Sequence, residues 1–196
     1  MSRARCERCL RPEGHCLCAL IPRLANRTRV LLLQHPSETG HALNTARLAA
    51  LGLENAELRV GEDFSDLDLS GEEAWLLFPG EEAIALDELA VRPAKKSRLL
   101  VVPDGTWRKA RKLLHLNPPL AALPRVVLPD GLRSRYRLRK APAEGALSTV
   151  EAVVHALNAL DAPQGYDELL RPFDALIEGQ IAAMGDETFR RNHQRP

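Results

Sequence analysis

Aromatic residues make up only 4% of this 196-residue chain, so its core has to be aliphatic, and 14 prolines imply many short connections. No apolar run approaches the roughly 20 residues that span a bilayer, so a helical membrane protein is excluded. The opening Met1-Ser2-Arg3-Ala4-Arg5-Cys6 leads into cysteines and not into an apolar signal core, and the cytoplasm is the expected compartment. Also missing are the phosphate loop, the G-x-G-x-x-G dinucleotide fingerprint, a G-x-S-x-G elbow and H-E-x-x-H, which removes the commonest nucleotide-binding, esterase and zinc-protease readings. Beyond Cys18 there is no cysteine at all.

What is present is a soluble composition, 45% apolar and 27% charged, on a chain long enough for one domain with a small appendage. A chain of this size buries roughly 70% of its unfolded surface. The net charge of +1 averages opposed blocks. Residues 1–29 carry seven Arg against two Glu, and residues 104–140 carry ten Lys or Arg against Asp104 and Asp130. Residues 54–90 hold twelve Asp or Glu against Arg59 alone. Blocks of this kind are expected on different parts of the surface, attracting a polyanion to one and repelling it from the other. A surface kept soluble by mixed charge is the plainer alternative.

Arg29–Gln34, Ala56–Val60, Ala74–Phe78, Arg98–Val102 and Arg125–Leu128 read as short strands, the third stopped by Pro79-Gly80 and the fourth by Pro103. Helical patterns alternate with them. One runs over Ala42–Leu51 to Gly52, and one starts at Trp107 with Ala110, Leu113 and Leu114 on its apolar face. A third carries Val150, Val153, Val154 and Leu157, and the last covers Asp167–Met184 with Pro172 near its start. The alternation predicts an α/β fold with a mostly parallel sheet and ligand sites beyond the carboxyl ends of the strands.

All four cysteines fall in Cys6-x2-Cys9-x6-Cys16-x-Cys18. Four soft thiolates suit tetrahedral zinc, which would brace a segment too short for its own core. His15 could replace a neighbour of the tight Cys16-Leu17-Cys18 pair, and disulfide pairing is the alternative. The expected division is a zinc module over 1–28 and a second domain over 29–196. Val101-Val102-Pro103-Asp104-Gly105-Thr106-Trp107 leaves a strand, turns at glycine and enters a helix, which places Asp104 where a ligand would bind. Asp104 or Thr106 could equally cap the helix, with Trp107 anchoring it to the core. At a helix start the free N–H groups should stabilise the Asp104 carboxylate and weaken it as a base. Ser148-Thr149-Val150-Glu151 has the capping-box pattern, and its helix start could also border a carboxylate or phosphate. Arg133, Arg135, Arg137, Arg139 and Lys140 would share a face in extended backbone and suit phosphates, with Tyr136 free to stack on a base; a solvated basic loop is as good a reading.

In order along the chain stand the four-cysteine cluster, His35-Pro36-x-Glu38, Asn44-Thr45-Ala46-Arg47, Phe78-Pro79, Asp104-x-Thr106-Trp107, Arg139-Lys140 and Ser148-Thr149-x-Glu151-Ala152. This succession resembles the DTW-domain family from Cys6 to Ala152. The resemblance implies a SPOUT-like α/β fold with a deep knot, helices on both faces of the sheet, and a small N-terminal zinc module. It implies tRNA as partner and S-adenosylmethionine as donor of a 3-amino-3-carboxypropyl group, transferred to N3 of a uridine with release of methylthioadenosine. On that basis Asp104 and Trp107 are the expected catalytic residues. Phe78, Pro79, Asp104, Gly105, Thr106, Trp107, Ser148 and Thr149 form the expected donor wall. Cys6, Cys9, Cys16 and Cys18 hold the metal, and Arg47, Arg108, Arg111, Arg133, Arg135, Arg137, Arg139 and Lys140 face RNA. An S-adenosylmethionine-dependent RNA methyltransferase and a non-catalytic zinc RNA-binding module are the competing readings, and no stable protein partner is inferred.

Overall fold

The computed structural model describes residues 4–41, 43–135 and 147–185. Its centre is a six-stranded sheet of order β2-β1-β5-β3-β6-β4, in which every pairing is parallel. The strands are β1 (Arg29–Gln34), β2 (Ala56–Val60), β3 (Glu73–Leu77), β4 (Ile84–Ala85), β5 (Arg98–Asp104) and β6 (Arg125–Val127). The helices are α1 (Ala46–Gly52), α2 (Leu86–Val91), α3 (Trp107–Leu116), α4 (Pro118–Ala121), α5 (Thr149–Leu160) and α6 (Arg171–Met184).

β1 and β5 read as unbroken apolar runs because the sheet is covered on both faces. Successive side chains go to opposite sides. Val30, Leu32, Leu100 and Val102 join a core with α1, α2, α5 and α6, while Leu31, Leu33, Leu99 and Val101 join another with Leu113, Leu114 and Leu120 of α3 and α4. Each fully buried Leu or Val there is worth about 1.5–3 kcal/mol. Cys9, Leu17 and Ile21 belong to the first of these cores, so the N-terminal module packs directly against the sheet's helical layer.

Five strands fall where the apolar runs put them, with differences at the ends. β5 does not stop at Pro103: the proline pairs with Leu33 and Asp104 with Gln34, and Asp104 O accepts from His35 N at 3.1 Å. Proline loses one ladder donor but keeps extended backbone at the end of a strand. α1 begins at Ala46, not Ala42, since Asn44 ahead of it bonds Gln34 instead of entering the helix. The last helical segment divides into a 3-10 turn, Asp167–Leu170, and α6, with Pro172 in the first turn of α6 where its missing N–H has no intrahelical partner to lose. β4, α2 and α4 are too short for periodicity to announce.

The charge blocks do not stay apart. Lys112 of the basic stretch pairs with Glu62 of the acidic one at 2.9 Å. Arg29 draws Glu57 and Glu72 to 2.7 Å each, so the sheet's own cations absorb part of the acidic block. No helix among the described residues is long and apolar enough to cross a membrane.

Candidate active site

β1 and β5 lie side by side and parallel, so their carboxyl ends deliver Gln34 and Asp104 to the same point. Asp104 is 8% exposed. Gln34 Nε2 donates to its Oδ2 at 2.7 Å, and Thr149 Oγ1, from the first turn of α5, donates to its Oδ1. Gln34 is held in turn by an amide pair with Asn44, at 3.1 and 3.2 Å. Three separate blocks of sequence therefore converge on one carboxylate.

The surroundings of Asp104 push against the effect expected of a helix start. Burial, the largest influence, pushes its pKa above the ordinary carboxylate value. The bonds from Thr149 and Gln34 oppose that shift, and the negative Glu38 nearby adds to it. The helix cap is Thr106, whose hydroxyl accepts from Lys109 N, so capping does not explain Asp104. Gly105 makes the intervening turn at φ +151°, and a Cβ there would lie 3.1 Å from Lys109 Cβ. Substitution would be strained on both counts.

Trp107 does not anchor α3 in the core. It is 43% exposed, and its ring meets Phe78 edge-on at 5.4 Å between centroids. Arg125 stands over Phe78, 5.9 Å from the ring centroid, and donates to Pro79 O at 2.9 Å. At the exits of β3 and β5 the half-buried Phe78 and the exposed Trp107 thus form an aromatic pair. Lys109 pairs with Glu38 at 2.6 Å and His35 Nε2 with Glu62 at 2.7 Å. Lys112 keeps Glu62 below the usual carboxylate range.

Ser148 is buried, and its capping box is complete, with Glu151 Oε2 accepting from both its N–H and its hydroxyl. Its polar groups are spent inside the helix start. Of the expected donor-wall residues, Thr149 bonds Asp104, Phe78 meets Trp107, Gly105 and Thr106 join Asp104 to Trp107 along the chain, and Pro79 is exposed. Arg108 and Arg111 are exposed on α3 and Arg133 is exposed beyond β6, while Arg135 pairs with Asp174 at 3.1 Å. Arg47 faces a cleft beside the cysteine module. Tyr136, Arg137, Arg139 and Lys140 lie outside the described residues. Gln34 and Lys109 were not singled out from sequence; the available signal for Gln34 was a polar residue closing an otherwise apolar strand.

The four cysteine sulfurs all lie within 4.8 Å of one another, with Cys6–Cys18 at 3.5 Å and Cys9–Cys16 at 3.8 Å. These separations are far beyond the roughly 2.05 Å of a disulfide, and the cysteines are free. Leu10 N bonds Cys6 O at 2.8 Å, closing a turn in which Leu10 takes the left-handed φ of 59°. N–H groups of Cys9 and Arg8 lower the Cys6 thiol to about 6, whereas burial and the neighbouring sulfurs raise Cys18 to about 12. The cluster can hold a metal; His15 is exposed and stands outside it.

A parallel α/β sheet with a buried carboxylate at its carboxyl edge and a four-thiol cluster packed on one face defines the class of protein. The chain belongs to the DTW domain family, which it matches over residues 3–181. It is 32% identical over 191 residues to tRNA-uridine aminocarboxypropyltransferase 2 of Macaca fascicularis, a stretch covering 91% of this chain and 64% of that protein. Against the Drosophila melanogaster protein of the same name it is 32% identical over 212 residues, covering 99% of this chain and 84% of the relative. Against tRNA-uridine aminocarboxypropyltransferase A of Arabidopsis thaliana the identity is 26%, over 90% of this chain and 79% of that one. The chain thus spans about two thirds of the macaque protein's length. No solved structure matches it.

Proposed function

We propose that this protein transfers the 3-amino-3-carboxypropyl group of S-adenosylmethionine to N3 of a uridine in tRNA. The observation that carries the reading is Asp104, a buried carboxylate with raised pKa at the carboxyl end of β5, in a chain whose relatives are named for that reaction. When bound, the donor supplies a carbon activated by its sulfonium: the N3–C bond forms as the C–S bond breaks, and the electron pair leaves on sulfur as methylthioadenosine. Asp104 takes the N3 proton. Gln34 and Thr149 orient its carboxylate, and burial keeps it basic. Trp107 offers an aromatic face on which a planar base stacks. Arg47, Arg108, Arg111, Arg133 and Arg135 are the RNA contacts within the described residues, with Arg137, Arg139 and Lys140 completing the set.

The same reading assigns zinc to Cys6, Cys9, Cys16 and Cys18. A tetrahedron with Zn–S bonds of roughly 2.3 Å has edges of about 3.8 Å, close to the spacings of the Cys6–Cys18 and Cys9–Cys16 pairs. The metal would brace residues 1–28 as a module docked on the domain 29–196. A SPOUT-like knotted topology goes with the reading; it is in keeping with the all-parallel sheet and with β5 lying between the earlier strands β1 and β3. The cytoplasm is the compartment that goes with it.

Nucleoside mass spectrometry of tRNA incubated with the enzyme and S-adenosylmethionine tests the reaction. A 3-amino-3-carboxypropyl adduct on uridine is expected. A methyl group would make the protein a methyltransferase, and no adduct despite tRNA binding would leave an RNA-binding module.

A further inference from the structure

We propose that Lys109 is a positioning residue: its pairing with Glu38 shields the Asp104 carboxylate from a second negative charge and keeps it ionised to take the N3 proton, an inference that rests on the role given to Asp104 above. The block His35-Pro36-x-Glu38 is left without a task by that reading. It follows β1 directly, so the strand that brings Gln34 to Asp104 brings Glu38 there as well. His35 N donates to Asp104 O at 3.1 Å, and Glu38 N donates to His35 O at 2.9 Å, which closes the turn at the end of β5.

The approach is tightest at Gly105. A Cβ there would lie 3.1 Å from Lys109 Cβ and 3.7 Å from both Glu38 Cγ and His35 Cβ, so the start of α3 and the turn after β1 close on the residue next to Asp104. Lys109 Nζ meets Glu38 Oε1 at 2.6 Å, with the two side chains 25% and 18% exposed. A pair so far withdrawn from water is screened less by salt than a surface pair. Without the cation, Glu38 would set a like charge against a carboxylate that burial already pushes towards its neutral form. With it, Asp104 faces a dipole, whose field falls off faster than that of a single charge.

The other charged groups around this point are matched elsewhere. His35 Nε2 pairs with Glu62 at 2.7 Å, and Lys112 of α3 pairs with the same carboxylate at 2.9 Å. Glu151 of α5 accepts from Ser148, from Ser134 and from Arg135 N, and Arg47 of α1 faces the cleft beside the cysteine module. β1 and α5 reach Asp104 itself with neutral groups, Gln34 and Thr149. Among the described residues, Lys109 is the cation that answers Glu38.

The experiment follows the Asp104 carboxyl carbon by carbon-13 NMR through a pH titration in the metal-loaded wild type, Lys109→Gln, Lys109→Arg and Glu38→Gln, with the resonance assigned by its loss in Asp104→Asn. Single-turnover rates are measured over the same pH range, and S-adenosylmethionine binding alongside. Lys109→Gln is expected to move the titration to higher pH and Glu38→Gln to lower pH. The acid limb of the rate profile should move with it, at about tenfold in rate for each pH unit of displacement. Lys109→Arg keeps the cation and should sit closer to the wild type than Lys109→Gln does. A merely structural role would not send Lys109→Gln and Glu38→Gln, which break the same ion pair, in opposite directions. Glu38→Gln carries the test alone if Lys109→Gln does not fold. A titration that stays in place in the folded variants overturns the proposal; a fall in donor affinity beside it would make the pair a contact for the donor's amino-acid group. A titration that moves while the rates stay removes Asp104 from the proton transfer and this inference with it. A wild type that forms no adduct sinks the functional reading itself.

Discussion

Asp104→Asn should leave the fold at least as stable as before and remove most of the turnover. The carboxylate is 8% exposed, and its two hydrogen-bond partners among the described residues, Gln34 and Thr149, are neutral. Asn fits both, because its carbonyl oxygen accepts from Gln34 while the Thr149 hydroxyl turns to accept from its NH2. Burial raises the folded pKa above the ordinary value of 3.8. Below 3.8 the group is neutral in both folded and unfolded chains, and the fold keeps its full stability. As pH rises through the folded pKa, ionisation in the interior erodes that stability. At neutral pH the wild type therefore bears a penalty that Asn lacks, and the difference should shrink as pH is lowered towards 4. Catalysis moves the other way: loss of a positioned base costs about 10²- to 10⁴-fold in rate, or roughly 2.7–5.5 kcal/mol of barrier. Thermal unfolding at several pH values and single-turnover nucleoside mass spectrometry, with donor and tRNA saturating, read the two effects separately. Single-turnover rates within about threefold of wild type would refute the role of Asp104 as base.

Elemental analysis should find one zinc per chain, and chelation should release it; a metal-free preparation with all four cysteines paired as disulfides removes the assignment. Asp161 accepts from Arg27 N, from the N–H and hydroxyl of Thr28, and from Tyr166 Oη, all between 2.7 and 3.2 Å. Asp161→Ala strands several of these donors in the interior, and a loss of about 2–5 kcal/mol is expected in urea denaturation, with the m-value unchanged. Arg108→Gln with Arg111→Gln should lower the tRNA salt slope by up to about 2 while leaving stability within ~0.5 kcal/mol, since both side chains are exposed. An unchanged slope would place the RNA away from α3.

The parts of the fold that could be read ahead were those with local causes. β1 and β2 begin and end where the apolar runs do. Ser148 and Glu151 form both halves of the capping box that their spacing announced. Short elements escaped: β4 has two residues and α2 six, less than two helical turns, so no period accumulates. The clustering of the four thiols was legible for the opposite reason, since twelve residues of separation between Cys6 and Cys18 leave little room to disperse. Parallel strand order was not legible. β5 enters between β1 and β3, and a choice among apolar strands of similar length is made by packing on both faces, not by any one strand.

The site shows the same boundary between local and long-range causes, and there the boundary changes the chemistry. Read locally, Asp104 precedes a helix, so free amides should hold it charged and make it a poor base. In the folded chain the residue two places on, Thr106, takes the cap, and β5 extends far enough to carry Asp104 into the sheet. Its partners then come from residues 34 and 149, seventy and forty-five positions away. Both are neutral donors, enough to fix the carboxylate in orientation and too weak to offset its burial, so the pKa rises instead of falling. The nearby negative charge of Glu38 pushes in the same direction, while Lys109 spends its cation on Glu38 at 2.6 Å. A carboxylate kept basic by burial and steered by two neutral hydrogen bonds is suited to removing a proton from a planar base. That combination arises only when the ends of β1, β5 and α5 meet.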